Sequence, residues 1–540
     1  MKVYEAISSA LSGLGVPTMF GVMGDANLFF VDSFVRDRAG VFVAATHEGN
    51  AVMMAKGYAD TSGRLGVATV THGPGLTNTV TALVEASRGS TPLLLIAGDT
   101  AAGDRFNIQR IGQRDVVQST GAGFESATSP DLVVETLIRA AHRAVDERCP
   151  IVLNVPADFQ WVDVENEPRV VSALFRQETR PDPDALDQAL GVALNASRPL
   201  ILAGNGSNTM AGRTALLELS AALGAPVATT LKAKDLFRGD AYDLGVFGTL
   251  STDLGSEVIA ASDCVLAFGA SLNRWTTAEG SLLRGKRVVQ VDIDSTRIGS
   301  KTRVDVGIVG GAAAVARTMC EWLAEADAKP SNFRSSELAE RIASSSASTV
   351  TPPSDSRSLS PAEAIRSIDG AIGSPRTVAV DLGRAIFDAI RTLRIDRPGG
   401  LVWTADFGSI GLGTSAAIGG FMGAPDRPVL LLCGDGGFMM GGVSELSTAV
   451  RNGVDLIAVV FNDSAYGAEH IQFRNRGMDP SIATFRWPDL AGLARAMGAA
   501  GVTVRDRSDL AHAAEQIATR TGPILIDVTL EVDHVPSVNH

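Results

Sequence analysis

The sequence predicts an α/β protein of three doubly wound parallel-sheet domains. Apolar, β-branched runs alternate with helical patterns through most of the chain, as strands do when crossover helices cover both faces of their sheet. The 540 residues suffice for about three domains of ordinary size. Gly-rich turns follow some of these apolar runs, at the sheet edge where open α/β sheets bind ligands.

The first block has expected strands at 19–22, 41–44, 67–70, 93–97 and 151–155. The second has them at 200–203, 227–229, 264–268, 288–293 and 306–309. The third has them at 378–380, 401–403, 429–432, 457–461 and 524–528. A loosely patterned stretch with several prolines separates the first two blocks, and a Ser- and Pro-rich stretch separates the last two. The expected organisation is therefore 1–165, a linker 166–185, 186–328, a solvated linker 329–360, and 361–540.

Composition narrows the function. A hydrophobic fraction of 45% with 20% charged residues describes a well-buried globular chain. A formal charge of −13 argues against a nucleic-acid-binding surface and against an anionic membrane surface. The four cysteines are scattered without CxxC spacing, which suits reduced thiols and a cytoplasmic location. The N-terminal segment is too polar for a signal peptide, and no run of 18 apolar residues spans a membrane.

The most informative segment runs from Cys433 to Glu469. One apolar run ends in Gly434-Asp435-Gly436, a helical pattern follows, and a second apolar run ends in Asn462-Asp463. Adjacent parallel strands would bring these ends together. Glycines there let a phosphate approach the backbone, and hard oxygen ligands suit Mg²⁺ held partly by phosphates. A lone GDG turn is otherwise commonplace.

In the first block, Thr46 is the expected N-cap of a helix and Glu48 lies in its first turn, where an acid also favours the helix dipole. Around it stand FGVMGDANL (20–28) and THGPGLTNT (71–79). The order of these motifs, with GDG…ND much later, resembles the thiamine diphosphate-dependent 2-oxo acid decarboxylase and acetolactate synthase superfamily over essentially the whole chain. The resemblance implies a pyrimidine-binding first domain, a central domain and a diphosphate-binding third domain. It implies thiamine diphosphate and Mg²⁺ as cofactors. It also implies a homodimer as the minimal unit, with a homotetramer expected, because the cofactor lies between domains of different subunits.

The same resemblance assigns roles. Glu48 faces the aminopyrimidine and shares a proton with a ring nitrogen, which promotes formation of a C2 carbanion; burial in an apolar crevice would favour its protonated form. Ile410, in FGSIGLG (407–413), bends the cofactor, with Ser409 beside it. Asn78, Gly383, Arg384, Gly434, Gly436, Gly437 and Tyr466 complete the cofactor-binding set.

Asp435 is the first expected metal ligand. Counting 462 − 435 = 27 selects Asn462 as the second, the spacing usual in the superfamily. Local anchors differ. Glu445-Leu446 sits one place late, and the Tyr466-Gly467 pair starts three residues after Asp463. One inserted residue within 440–443 reconciles both anchors and favours Asp463, with the carbonyl of Ala465 as a third ligand.

The reaction expected is decarboxylation of a 2-oxo acid through a C2 carbanion and enamine, then protonation or carboligation to an aldehyde or ketone acceptor. Asp25 and Glu469 match proton-managing acids of pyruvate decarboxylases. His72 resembles the histidine of the benzoylformate decarboxylase branch, and Gln113 lies near the glutamine of acetolactate synthases. Each has a plain structural alternative as a turn, cap or surface residue. The central domain could hold FAD, another nucleotide or nothing. Gly204 and Gly206 alone are a weak signal, and 269–274 replaces the Arg-Phe-Asp-Asp-Arg type of segment of FAD-binding synthases, which argues against FAD. An FAD-linked 2-oxo acid oxidase and a non-catalytic cofactor-binding subunit are the competing functions.

Overall fold

A computed structural model describes residues 1–101, 103–165, 179–347, 359–373 and 375–533. The linker stretch 166–178 and the part 348–358 of the second linker lie outside the described residues, as do 534–540 of the third block. Two compact units result: one holds the N- and C-terminal blocks, the other the middle block.

The N-terminal sheet contains β1 (Thr18–Gly21), β2 (Val41–Ala44), β3 (Gly66–Val70), β4 (Leu93–Asp99), β5 (Gly123–Ser126) and β6 (Pro150–Pro156). Its order is β2-β1-β3-β4-β6-β5, with every pair parallel. The middle sheet contains β7 (Pro199–Ala203), β8 (Val227–Thr229), β9 (Asp243–Val246), β10 (Cys264–Phe268), β11 (Arg287–Asp292) and β12 (Val306–Val309), ordered β12-β11-β10-β7-β8-β9. The C-terminal sheet contains β13 (Thr377–Val380), β14 (Leu401–Trp403), β15 (Val429–Gly434), β16 (Leu456–Asn462), β17 (Ala500–Val504) and β18 (Ile524–Thr529). Its order, β14-β13-β15-β16-β18-β17, repeats that of the N-terminal sheet.

All fifteen expected strands are present, and each sheet adds one more: β5, β9 and β17. Each of these lies at a sheet edge. Most of their residues are only half-buried, whereas β4, β7, β15 and β16 are buried almost throughout. Polar or glycine residues interrupt these three (GFES, DLGV and AGVTV), so the apolar run that revealed the other strands, the edge strands β2, β12 and β14 included, is missing.

The second linker also differs from expectation. Within 329–360, Ser336–Ala347 is a helix. Leu338 inserts into the middle unit's core, and Arg341 donates to Glu257 at 2.6 Å. A high serine content masked that single-faced contact.

In the larger unit, the helix Glu48–Ser62 packs against the helix Gly413–Gly423. The approach is close enough to require glycine. A Cβ on Gly57 would lie 2.0 Å from the Ala416 carbonyl oxygen, and one on Gly419 would lie 1.8 Å from that of Met54. This contact carries the N-terminal motifs and the Ile410 loop on one packed body. Among the described residues, no helix is long and apolar enough to cross a membrane.

Candidate active site

In the C-terminal sheet the strand order reverses between β13 and β15, and the carboxyl ends of such neighbours form the ligand crevice of doubly wound folds. Asp381 follows β13 directly, and Gly434-Asp435 closes β15. The β15–β16 register sets Gly434 opposite Phe461, so the chain brings Asp435 beside the Asn462-Asp463 end of β16.

Asp435 is 2% exposed. Burial, reinforced by the negative charge of Asp463, pushes its carboxyl up to about 7. Burial also raises Asp463, against the opposing charge and hydrogen bond of Arg384. Asp463 Oδ1 accepts the Ala465 N–H at 3.1 Å. Asn462 is engaged elsewhere: its amide donates to Asp527 at 2.9 Å, and its carbonyl oxygen accepts from the Ser464 backbone at 3.1 Å.

These residues suit a divalent cation and a diphosphate. Two carboxyl groups, both raised while no cation faces them, would ionise against a divalent cation and offer it hard oxygen donors. Among the described residues no group of three or more His, Cys, Asp or Glu is arranged to hold a metal. A cation here would therefore draw further oxygens from a bound phosphate. Arg384 donates Nη1 to the Val532 carbonyl at 2.8 Å, and its buried Nε has no protein partner. A Cβ on Gly434 would meet nothing within 4 Å, which leaves backbone accessible to a ligand.

A π-helical turn, Phe438–Gly442, follows the GDG segment. Its i→i+5 bonding takes up one residue more than an α-turn, and it overlaps the 440–443 stretch where an insertion was expected. Gly441 packs on the Gly411 carbonyl, where a Cβ would approach to 2.2 Å. The half-buried Ile410 precedes that contact. Asp381 fixes the same loop from below: its Oδ2 accepts the N–H of Gly411 at 3.0 Å and of Gly413 at 3.1 Å. Burial pushes the Asp381 carboxyl up to about 6 despite these donors. Only Gly383 and Arg384 of the 381–385 segment were expected at the site, so the bracing role of Asp381 is an addition.

In the N-terminal sheet the reversal lies between β1 and β3, and their carboxyl ends bring Asp25 and His72 together. The exposed Asp25 Oδ1 accepts the Thr71 hydroxyl at 3.0 Å and lies 3.9 Å from Nδ1 of the buried His72. Asn27 braces this turn, accepting the Gly24 N–H at 2.8 Å. Gln113 is committed to structure: its amide donates to Gly98 O and Asn154 Oδ1 at 2.8 and 2.9 Å, and its oxygen accepts the Gly73 N–H at 2.8 Å. It braces the Gly73-Pro74-Gly75 loop. Glu469 is exposed in the first turn of the helix Gly467–Asn475.

The helix that begins at Glu48 is capped by His47, whose Nδ1 accepts the Gly49 N–H at 3.1 Å, and not by Thr46. Thr46 is drawn away by Glu445. One oxygen of that carboxylate accepts the Thr46 N–H at 2.9 Å, its hydroxyl at 2.6 Å and the Asn50 amide at 2.9 Å. Glu48 itself is half-buried and accepts the Asn78 amide at 2.9 Å. Residues of this chain alone do not enclose it in the expected apolar crevice.

Three polar contributors carried weak local signals. Glu85, a wholly buried acid, sits among buried apolar residues of the helix Val80–Gly89, an odd charge on a core face. Asp381 follows a strand, where an acid is common. Trp487 donates to Asp435 at 2.8 Å from a distant segment, and no spacing rule connects them.

In the middle sheet, Gly204 and Gly206 pack backbone to backbone on the loop after β10, with the Gly206 N–H donating to Gly269 O at 3.0 Å. Close chain packing accounts for both glycines.

Residues 1–119 match the family description "Thiamine pyrophosphate enzyme, N-terminal TPP binding domain". Residues 186–319 match its central domain, and 381–528 its C-terminal TPP binding domain. Sulfoacetaldehyde acetyltransferase of Roseovarius nubinhibens is 30% identical, over 96% of this chain and 89% of its own length. That of Rhodobacter capsulatus is 30% identical over 96% and 93%. The acetolactate synthase large subunit of Parasynechococcus marenigrum is 28% identical over 97% and 86%.

Proposed function

This chain belongs to the thiamine pyrophosphate enzyme family, and we propose that it is a thiamine diphosphate- and Mg²⁺-dependent enzyme acting on a 2-oxo acid, with acetolactate synthase-like transfer to an acceptor carbonyl or protonation as its outcome. The observation that carries this is the pairing of buried Asp435 and Asp463 at the crevice of the C-terminal sheet, beside the braced Ile410 loop.

The bound cofactor would supply an electron sink for the cleaved carbon–carbon bond. The chain's residues do the rest. Asp435, Asp463 and the Ala465 carbonyl hold the cation, and Arg384 adds positive charge beside the diphosphate. Glu48, oriented by Asn78, holds the proton exchanged with a pyrimidine ring nitrogen. Asp25 and His72 form a pair able to move protons at the substrate. Glu469, exposed at its helix start, is a further acid for the substrate.

Two copies of the chain form the working unit and associate further into a tetramer. The half-open Glu48 supports this, as do Phe106 and Ile108, which are 94% and 99% exposed on the loop before Gln113. Sedimentation would report a dimer or tetramer; a monomer with full activity would refute it.

Incubation with pyruvate, phenylpyruvate and benzoylformate tests the activity, with aldehyde and acyloin products distinguishing protonation from carboligation. Product from none of them overturns the 2-oxo acid reading. The names of two relatives favour a second reading in which sulfoacetaldehyde is the substrate, and turnover of that compound alone would select it. Flavin absorbance in the purified protein would favour the oxidase instead.

A further inference from the structure

Trp487 and Asp435 are 52 residues apart, yet the indole Nε1–H donates to Asp435 Oδ2 at 2.8 Å. The other carboxylate oxygen accepts the Gly436 N–H at 2.9 Å. Both oxygens are thus held by donors, with the Ala465 N–H also directed at the carboxyl group, which fixes its plane and leaves lone pairs for a cation.

The tryptophan is itself held. Its ring stacks on Phe485 with centroids 4.7 Å apart and planes at 24°. Phe485 meets Tyr466 edge-on at 4.7 Å. Tyr466 lies against Gly436, where a Cβ would come 2.8 Å from its ring. The backbone closes the same circuit: the Phe485 N–H donates to Ser464 O at 2.7 Å, and the Tyr466 N–H to Ala483 O at 2.9 Å. The 483–487 segment is therefore a strap that runs from the Asp463 turn back to Asp435.

We propose that Trp487 is a positioning residue for the metal, orienting the Asp435 carboxylate through its indole N–H. An indole can only donate, and it carries no charge. It fixes the carboxylate without competing as a cation, unlike Arg384 on Asp463. The proposal rests on Asp435 as a metal ligand.

Mg²⁺ titration of the full chain by calorimetry, at fixed thiamine diphosphate, tests both. Trp487→Phe keeps the stack and loses the donor, and the Mg²⁺ Kd should rise about 10–100-fold, the usual cost of losing a partner that orients a ligand. Trp487→His restores a ring N–H and should recover part of the loss; it also carries the test if the phenylalanine variant does not fold. Phe485→Leu should lower the thermal midpoint and shift Kd far less. A wild-type Kd in Trp487→Phe, or an equal rise in Phe485→Leu, overturns the positioning role while the metal site stands. If Asp435→Asn also binds Mg²⁺ normally, the metal assignment itself fails.

Discussion

Glu85 accepts the backbone N–H of Phe407 at 2.6 Å, and its second oxygen accepts that of Asp406 at 3.0 Å. Asp381 holds Gly411 and Gly413 from the opposite side. The short loop that presents Ser409 and Ile410 is therefore suspended between two buried carboxylates, one from each end of the chain. Together they set where Ile410 stands.

Replacing Glu85 by leucine should leave two N–H donors without a partner, at about 1–3 kcal/mol each. The thermal midpoint should fall. Hydrogen–deuterium exchange should accelerate across 404–412 before other segments of the C-terminal sheet. Unchanged exchange there would show that Asp381 alone holds the loop.

Glu48→Gln keeps the side-chain size and the contact with Asn78 but removes the exchangeable carboxyl proton. Exchange of the C2 proton on bound thiamine diphosphate should slow by about 10²–10⁴-fold, the ordinary range of general acid–base assistance. Circular dichroism should report an intact fold. Wild-type exchange would remove Glu48 from its proposed role.

Asp463→Ala should weaken Mg²⁺ binding more than Asn462→Ala does, because Asp463 adjoins Asp435 while Asn462 is bound to Asp527 and Ser464. Equilibrium dialysis with Mg²⁺ ranks the two. The reverse ranking would favour Asn462, as the 27-residue spacing does.

Asp243, in β9, tests the electrostatics of the middle unit. Burial, with help from Asp235 and Asp240, pushes its carboxyl up to about 6, while the Gly245 N–H opposes the shift. A raised carboxyl binds its proton more tightly in the folded chain than in the unfolded one. Its stabilising contribution is therefore present at low pH and is lost as pH rises from about 4 through about 6. Asn keeps the acceptor for Gly245 without titrating. Asp243→Asn should gain about 1–2 kcal/mol over wild type between pH 4.5 and 7.5, after allowance for solvent screening. Urea midpoints of the full chain at both values measure it, and a constant difference would show that Asp243 does not titrate in this window.

The central strands were legible because both faces are buried, so their apolar runs are unbroken. β5, β9 and β17 were not, because polar residues or glycine break their runs, which these edge positions tolerate. The helix Ser336–Ala347 was hidden for a related reason: its anchor into the core, Leu338, stands among serines. The site residues divided in the same way. Asp435, Asp463 and Glu48 sit in local motifs at strand ends, where spacing carries information. Trp487, Glu85 and the hold of Glu445 on Thr46 are long-range contacts, and no local pattern announces them.

The amino-acid sequence alone determined the three α/β blocks, the family and the strand-end segments of the proposed site, because strand patterning and Gly-rich turns are local properties. Tertiary structure decided how those segments are held. It closed the strap over Asp435, turned Asn462 toward Asp527, committed Gln113 to a loop and left Glu48 half-open. Each outcome depends on which backbone donors and apolar faces meet across distant stretches of chain, and burial makes those meetings energetically binding.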